Sequence, residues 1–296
     1  MTTLTRTHGP LLHPRITVLI RPNGAVQLGW DPERAVLVQP PGPVEAVPAL
    51  LRLLDGVRTR QQIVCQAREL GFAADTTESL LRQMAAAGLL LAEQPRSRLR
   101  TVRVHGRGPL SDALLAGVRR IGLRPSHSRE RDLAEVDRLG APTEETERPD
   151  LLILADTLVP DPGLVADLMR RRIPHLQVRM RDGRGIVGPL VLPGESSCLH
   201  CADLHRLDRD PEWTHLAAQL LGRVGYASPA GIAGAAALAL KEIEIISRGE
   251  AGNPPATLNA TLEVDFESPH IDRRRWLPHP DCGCRAGGGV DGAEKE

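Results

Sequence analysis

Cys198-Leu199-His200-Cys201, answered near the far end by Cys282-Gly283-Cys284, is the pattern on which the reading of this chain turns. Four of the five cysteines fall in these two close pairs. A Cys-x-x-Cys turn aims two sulfurs at one point, and a second pair completes the tetrahedral thiolate set that zinc prefers. The second pair is one residue tighter than usual, and Gly283 is expected to supply the backbone freedom for that turn. Two disulfides are the bland alternative, but such small rings are strained and nothing else in the chain reads as secreted. Four thiolates leave no open position for water, so a metal at Cys198, Cys201, Cys282 and Cys284 is expected to hold the chain together rather than do chemistry. Sites of this kind contribute on the order of 10 kcal/mol to folding.

The totals narrow the classes. At 296 residues the chain has room for two domains. Aromatic residues make up only 2%, so the cores must be built from Leu, Val, Ile and Ala. A formal net charge of zero argues against bulk attraction to nucleic acid or to an anionic membrane surface. No apolar run reaches the roughly 18 residues that span a bilayer. The opening residues lack the apolar core of a signal peptide, and the expected location is cytoplasmic.

Outward from the cysteines, the first part of the chain reads as strands at Ile16–Ile20, Ala25–Gly29 and Ala35–Val38, with Asn23-Gly24 as a hairpin turn. Helices follow at Val44–Leu54, at Thr59–Leu70 behind a cap-like Thr59, and at Thr76–Ala87 with Asp75 as the expected cap. Leu89–Leu91 closes the set as a short strand, giving a small winged-helix-like domain over residues 1–94. The third helix offers Arg82 and Gln83 beside Asp75 and Glu78, which is electrostatically wrong for DNA. A plain structural domain and capture of a peptide by strand addition remain as readings of it. Cys65, the unpaired cysteine, reads as a small core residue.

Residues 95–100 read as a linker, and 101–285 as an α/β domain. Thr101–His105 is a strand, followed by Gly106-Arg107-Gly108-Pro109-Leu110-Ser111 and a helix to Ile121. This imitates a nucleotide-binding glycine loop imperfectly, because Pro109 removes an N–H and Ser111 stands where a third glycine belongs. The expectation is a Rossmann-like shape without bound ATP. Ser126–Arg148 reads as an irregular connection. Strands are expected at Leu151–Ala155, His175–Arg179, Ile186–Leu192 and Thr257–Phe266, and helices at Pro162–Arg172, from Asp210 to Leu221, and at Gly231–Ser247. Asp203 and His205 read as polar surface rather than ligands. The tail, 286–296, reads as disordered.

These residues together resemble one family. A hairpin-led first domain, a glycine-loop α/β domain, Gly188-Pro189-Leu190-Val191-Leu192-Pro193-Gly194, Cys198-x-x-Cys201 and His279-Pro280-Asp281-Cys282-x-Cys284 are similar to ThiF-like (ubiquitin-activating-fold) proteins. The members in question bind leader peptides or accompany cyclodehydratases in thiazole/oxazole-modified peptide pathways. The resemblance implies a PqqD-like recognition element in the first domain, structural zinc, and a non-catalytic role: binding a precursor leader and presenting it to a YcaO-type enzyme. It implies peptide contacts at Ala35, Val36, Leu37 and Val38 on the third strand, and at Leu80 and Met84 on the third helix. The zinc thiolates would be Cys198, Cys201, Cys282 and Cys284, with His279 as a substitute ligand if the tight final turn does not close. A homodimer is the expectation from the fold. Adenylating members need phosphate-binding basic residues; here Lys241 stands in an Ala-rich helix, and no catalytic cysteine has a counterpart. Two alternatives stay open: an ATP-dependent adenylyltransferase activating a C-terminal carboxylate, and a scaffold for a partner unrelated to peptide modification.

Overall fold

The structure is a computed structural model, and it describes residues 9–38, 42–91, 99–129, 148–249, 253–268 and 270–285. The chain divides into two compact units, Met1–Arg96 and Ser97–Glu296. The expected tail over 286–296 and most of the expected linker lie outside the described residues.

In the first unit, β2 (Val18–Ile20), β3 (Val26–Leu28) and β4 (Val36–Val38) form an antiparallel sheet in that order, so β4 lies at an edge. The segment before them contains β1 (Leu11–Leu12), which pairs with β5 (Leu90–Leu91). Two-residue strands carry no alternation for a sequence reading to detect. The expected helix from Val44 divides into a 3-10 turn, Val44–Ala46, and α1 (Val47–Arg52), with Pro48 at the start of the α-helical part.

Helix α2 (Arg60–Glu69) begins at Thr59, whose hydroxyl accepts from the Gln62 N–H while the Gln62 side chain accepts from the Thr59 N–H. Helix α3 (Ala74–Ala86) starts two residues earlier than expected. Asp75 therefore lies in its first turn and caps nothing; Ala73 is the N-cap. Ile63, Ala67, Phe72, Leu81 and Met84 build the core. Cys65 is exposed, a correction to its reading as core. Two residues along a helix is about 200° of rotation, so burying Ile63 and Ala67 turns Cys65 outward.

The second unit is built on a seven-stranded sheet in the order β12-β11-β10-β9-β8-β6-β7. Strands β6 (Thr101–His105), β7 (Arg124–Ser128), β8 (Leu151–Asp156) and β9 (His175–Arg181) run parallel. Strands β10 (Arg184–Val191), β11 (Ala260–Asp265) and β12 (His270–Arg275) extend the sheet antiparallel. Two of these elements were not foreseen. Ser126–Ser128, placed by sequence in an irregular connection, forms part of β7; most of that connection, 130–147, lies outside the described residues. Arg-Pro-Ser-His-Ser has no apolar alternation, and its strand form comes from parallel pairing with β6. The run Arg273–Arg275 lies in β12, whose six residues are all exposed and so bear no burial signal.

Alternation along β8 and β9 divides the second unit into two layers. Leu151, Ile153, Ala155, Leu176, Val178 and Met180 face one side, where they meet α4 (Pro109–Arg120) and α8 (Pro229–Arg248). Leu152 and Leu154 face the other side, toward α5 (Pro162–Arg170) and α6 (Leu199–Leu207). A short helix α7 (Trp213–Leu220) follows α6. Gly117 is the close-approach point between α4 and α8, since a Cβ there would lie 2.2 Å from a Leu240 methyl. Among the described residues no helix is long and apolar enough to cross a membrane.

His175, fully buried at the start of β9, donates from Nδ1 to the Ile173 carbonyl at 2.9 Å, while its Nε2 finds no partner. Burial pushes its pKa down to about 4, only partly offset by the bond to Ile173. The unfolded chain therefore binds this proton more readily than the folded one. The stabilisation is complete above the unfolded value near 6.5 and is lost as pH falls toward 4. We expect His175→Leu to remove about 3 kcal/mol of pH-dependent stability across that window. Urea denaturation of both proteins at pH 7.5 and 4.5 checks this; identical pH dependence in the variant would refute it.

Candidate functional site

The four paired cysteines converge. Cys198 is the N-cap residue of α6 and Cys201 lies in its first turn, so the helix start sets their spacing. Cys282 and Cys284 arrive from the far end through a turn in which the Cys282 N–H donates to the His279 carbonyl. Sulfur separations are 3.7 Å for Cys198–Cys201, 3.6 Å for Cys198–Cys282 and 3.5 Å for Cys201–Cys284. A disulfide would need about 2.05 Å. Four sulfurs each about 2.3 Å from one tetrahedral ion would lie about 3.8 Å apart. All four lie within 4.8 Å of one another, so the donor set and its spacing fit a metal.

Burial pushes the Cys198 thiol well up and the Cys284 thiol up to about 11. Cys201 moves the other way: burial alone would raise it, but backbone hydrogen bonds at His279 and Cys198 hold it below the usual thiol value. Gly283 does not adopt a left-handed conformation, contrary to the role expected of it; residues Gly283–Arg285 form a 3-10 turn instead.

His279 lies beside the cluster with both ring nitrogens engaged. Its Nε2 donates to Asp208 Oδ2 at 2.9 Å, and its Nδ1 accepts the Asp281 N–H at 3.1 Å. The sulfurs meet without it. Asp203 and His205, read as polar surface, are structural contacts. Asp203 accepts from Arg206 Nη1 at 2.8 Å and from Trp213 Nε1 at 3.2 Å, and His205 bonds the Leu277 carbonyl at 2.9 Å.

The glycine loop is arranged around a carboxylate of the chain itself. Asp156, at the end of β8 with φ of 72°, is buried. Its Oδ1 accepts from the Leu110 N–H at 2.9 Å and its Oδ2 from the Ser111 N–H at 3.2 Å. These are the free donors at the start of α4, where the helix dipole favours an anion and where glycine-loop folds seat a phosphate. A Cβ on Gly108 would lie 2.6 Å from Asp156 Oδ1, so this glycine makes room for the carboxylate. Ser111 Oγ closes the loop by accepting from the Gly108 N–H at 3.0 Å. Sequence reasoning missed Asp156 because its role depends on a loop 46 residues earlier in the chain. Lys241 is exposed on α8, 4.0 Å from Glu244.

In the first unit, Val36, Leu37 and Val38 form β4, and Ala35 precedes it. Leu37 is 55% exposed on the sheet face that also carries Leu19. Leu80 is half-buried, and Met84 belongs to the core at 1% exposure. Val38, Leu80 and Met84 border a shallow apolar dimple of about 10 Å³ together with Val26, Leu28 and Leu50.

This sheet order, glycine loop and four-sulfur cluster define the ThiF/MccB-like α/β fold. Solved structures that resemble the chain include a heterocyclase in complex with substrate and cofactor, at a TM-score of 0.63 and 18% identity over 93% of this chain. The heterocyclase TruD follows at 0.60 and 18% over 93%. Escherichia coli MccB with MccA-N7isoASN matches at 0.58 and 11%, covering 93% of this chain and 99% of that one. The chain spans 39% of the first heterocyclase and 42% of TruD. No protein-family profile matches the chain, and neither does any curated protein sequence.

Replacing Cys198 by Ser removes a sulfur that lies against two others. We expect metal content, measured by elemental analysis of purified protein, to fall from about one ion per chain to well below half. Folding stability should fall by several kcal/mol. Full metal retention by the variant would show that the cluster is not a four-sulfur site.

Proposed function

We propose that this chain is a non-catalytic recognition and scaffold protein of a ribosomal-peptide modification pathway. In this reading the first unit is a winged-helix-like, PqqD-like element. It binds a precursor leader by strand addition along Ala35, Val36, Leu37 and Val38, with Leu80 on α3 as an apolar contact. Met84 supports that wall from the core. The second unit, braced by zinc on Cys198, Cys201, Cys282 and Cys284, docks a YcaO-type enzyme that performs the ATP-dependent chemistry.

The observation that carries the non-catalytic part is the Asp156 carboxylate at the start of α4. A nucleotide phosphate would have to displace a buried anion from the same donors, and two like charges there repel. The peptide part is supported by the edge position of β4 and the exposed Leu37. It is also supported by the kind of protein that shares the fold, solved with MccA or with a heterocyclase substrate.

The rival reading is an adenylyltransferase. It is favoured by the match to nearly the full length of MccB, a protein that has been solved with ATP. Pyrophosphate exchange separates the two. We expect no ATP-dependent exchange with any candidate peptide, and robust exchange by the purified chain would make it an enzyme. For the capture site, Val38→Pro deletes a backbone donor and disturbs the strand edge. It should weaken binding of a leader peptide encoded beside this gene by at least tenfold in a fluorescence titration. Unchanged affinity places the contact elsewhere.

A further inference from the structure

On the face of the sheet opposite α4 and α8, the second unit carries a half-open cavity of about 830 Å³, bordered also by Cys198, Cys282 and Cys284. That is the size of a small-molecule site. Its walls are mostly apolar, supplied by Leu158, Val165, Met169, Leu199 and Leu220. Its floor is β9, where alternation brings Gln177, Arg179 and Arg181 to one face. None of the glycine-loop residues lines it.

The floor carries charge without a matching partner. Arg179 is 6% exposed, and beyond the backbone ladder of β9 its guanidinium makes no hydrogen bond or ion pair among the described residues. Burial first, and then the charges of Arg206 and Arg181, depress its pKa to about 9. Asp203 and Glu263 act on it through space, but both are already bonded. Asp203 accepts from Arg206 and Trp213, and Glu263 accepts from Arg181 at 2.9 Å. Five arginines line the cavity against three aspartates. Beside Arg179, the buried Gln177 Nε2 also lacks a partner. A buried cation held without a bonded counter-ion is costly, and an anion entering the cavity would relieve it. A guanidinium fork with an adjacent amide suits a planar, two-oxygen acceptor.

We propose that this cavity binds a small organic carboxylate, with its carboxylate on Arg179 and Gln177 and its apolar body against α5 and α6. The site uses second-unit residues only, so it stands or falls apart from the peptide reading.

Calorimetric titration of the full chain with octanoate, octanol and octylammonium tests this. Octanoate should bind at sub-millimolar concentration, and the other two at least tenfold more weakly. Arg179→Met keeps an unbranched apolar stem and removes the charge; it should weaken octanoate at least tenfold, to the level of octanol. Ala166→Trp, an exposed position on α5 at the cavity wall, should block octanoate by filling space. It serves as the test if Arg179→Met fails to fold. The proposal is overturned if octanoate does not bind, if octylammonium binds equally well, or if a folded variant of either kind binds octanoate as the parent does.

Discussion

The convergence of four sulfurs at the start of α6 is the constraint on which the second unit rests. Cys198 and Cys282 are 84 positions apart in sequence, and the hydrogen bonds His205–Leu277 and His279–Asp208, each 2.9 Å, join the same two segments. A metal here would fix the α6 start against the segment that follows β12. With it come Trp276, buried at 3% with its Nε1–H on Thr261, and the His279 turn with its bond to Asp208. Arg206, Arg209 and Arg274 gather over the Trp276 ring at 5.0, 5.9 and 4.8 Å. The same three arginines border the cavity floored by β9, so a structural cross-link also shapes a cationic recess.

Asp156 illustrates a different use of the same fold. The N-terminus of α4 has free N–H groups and a positive dipole end whatever occupies it. In this chain the occupant is a side chain from β8, held in a left-handed backbone conformation that non-glycine residues adopt at a cost. The glycine at 108 then serves an internal contact. A shared architecture is therefore weak evidence for a shared reaction, and the loop's own geometry is the better guide.

Local chemistry explains which parts were legible in advance. The buried strand at Leu151–Asp156, the Thr59 cap and the long Ala-rich helix expected over Gly231–Ser247 carry their signal within a few residues: an apolar run, a hydroxyl before a helix, a run of strong helix formers. The paired cysteines needed only spacing. The edges of the sheet were hidden for the opposite reason. β7 and β12 are polar along their length, and neighbouring strands induce their extended form. The alternation Gln177-x-Arg179-x-Arg181 was visible as residues but meaningless until the layer on that face was known.

The sequence by itself determined that four thiols stand ready in two pairs, that the chain alternates strands and helices in its second part, and that its glycine loop is atypical. Each follows from residue type and short-range spacing. Only the tertiary structure decided that the sulfurs meet 3.5–3.7 Å apart, that Asp156 fills the start of α4, and that Arg179 lies buried beside a cavity. Those outcomes depend on which distant segments are brought together, and the energy of a charge or a thiolate depends on its neighbours in space.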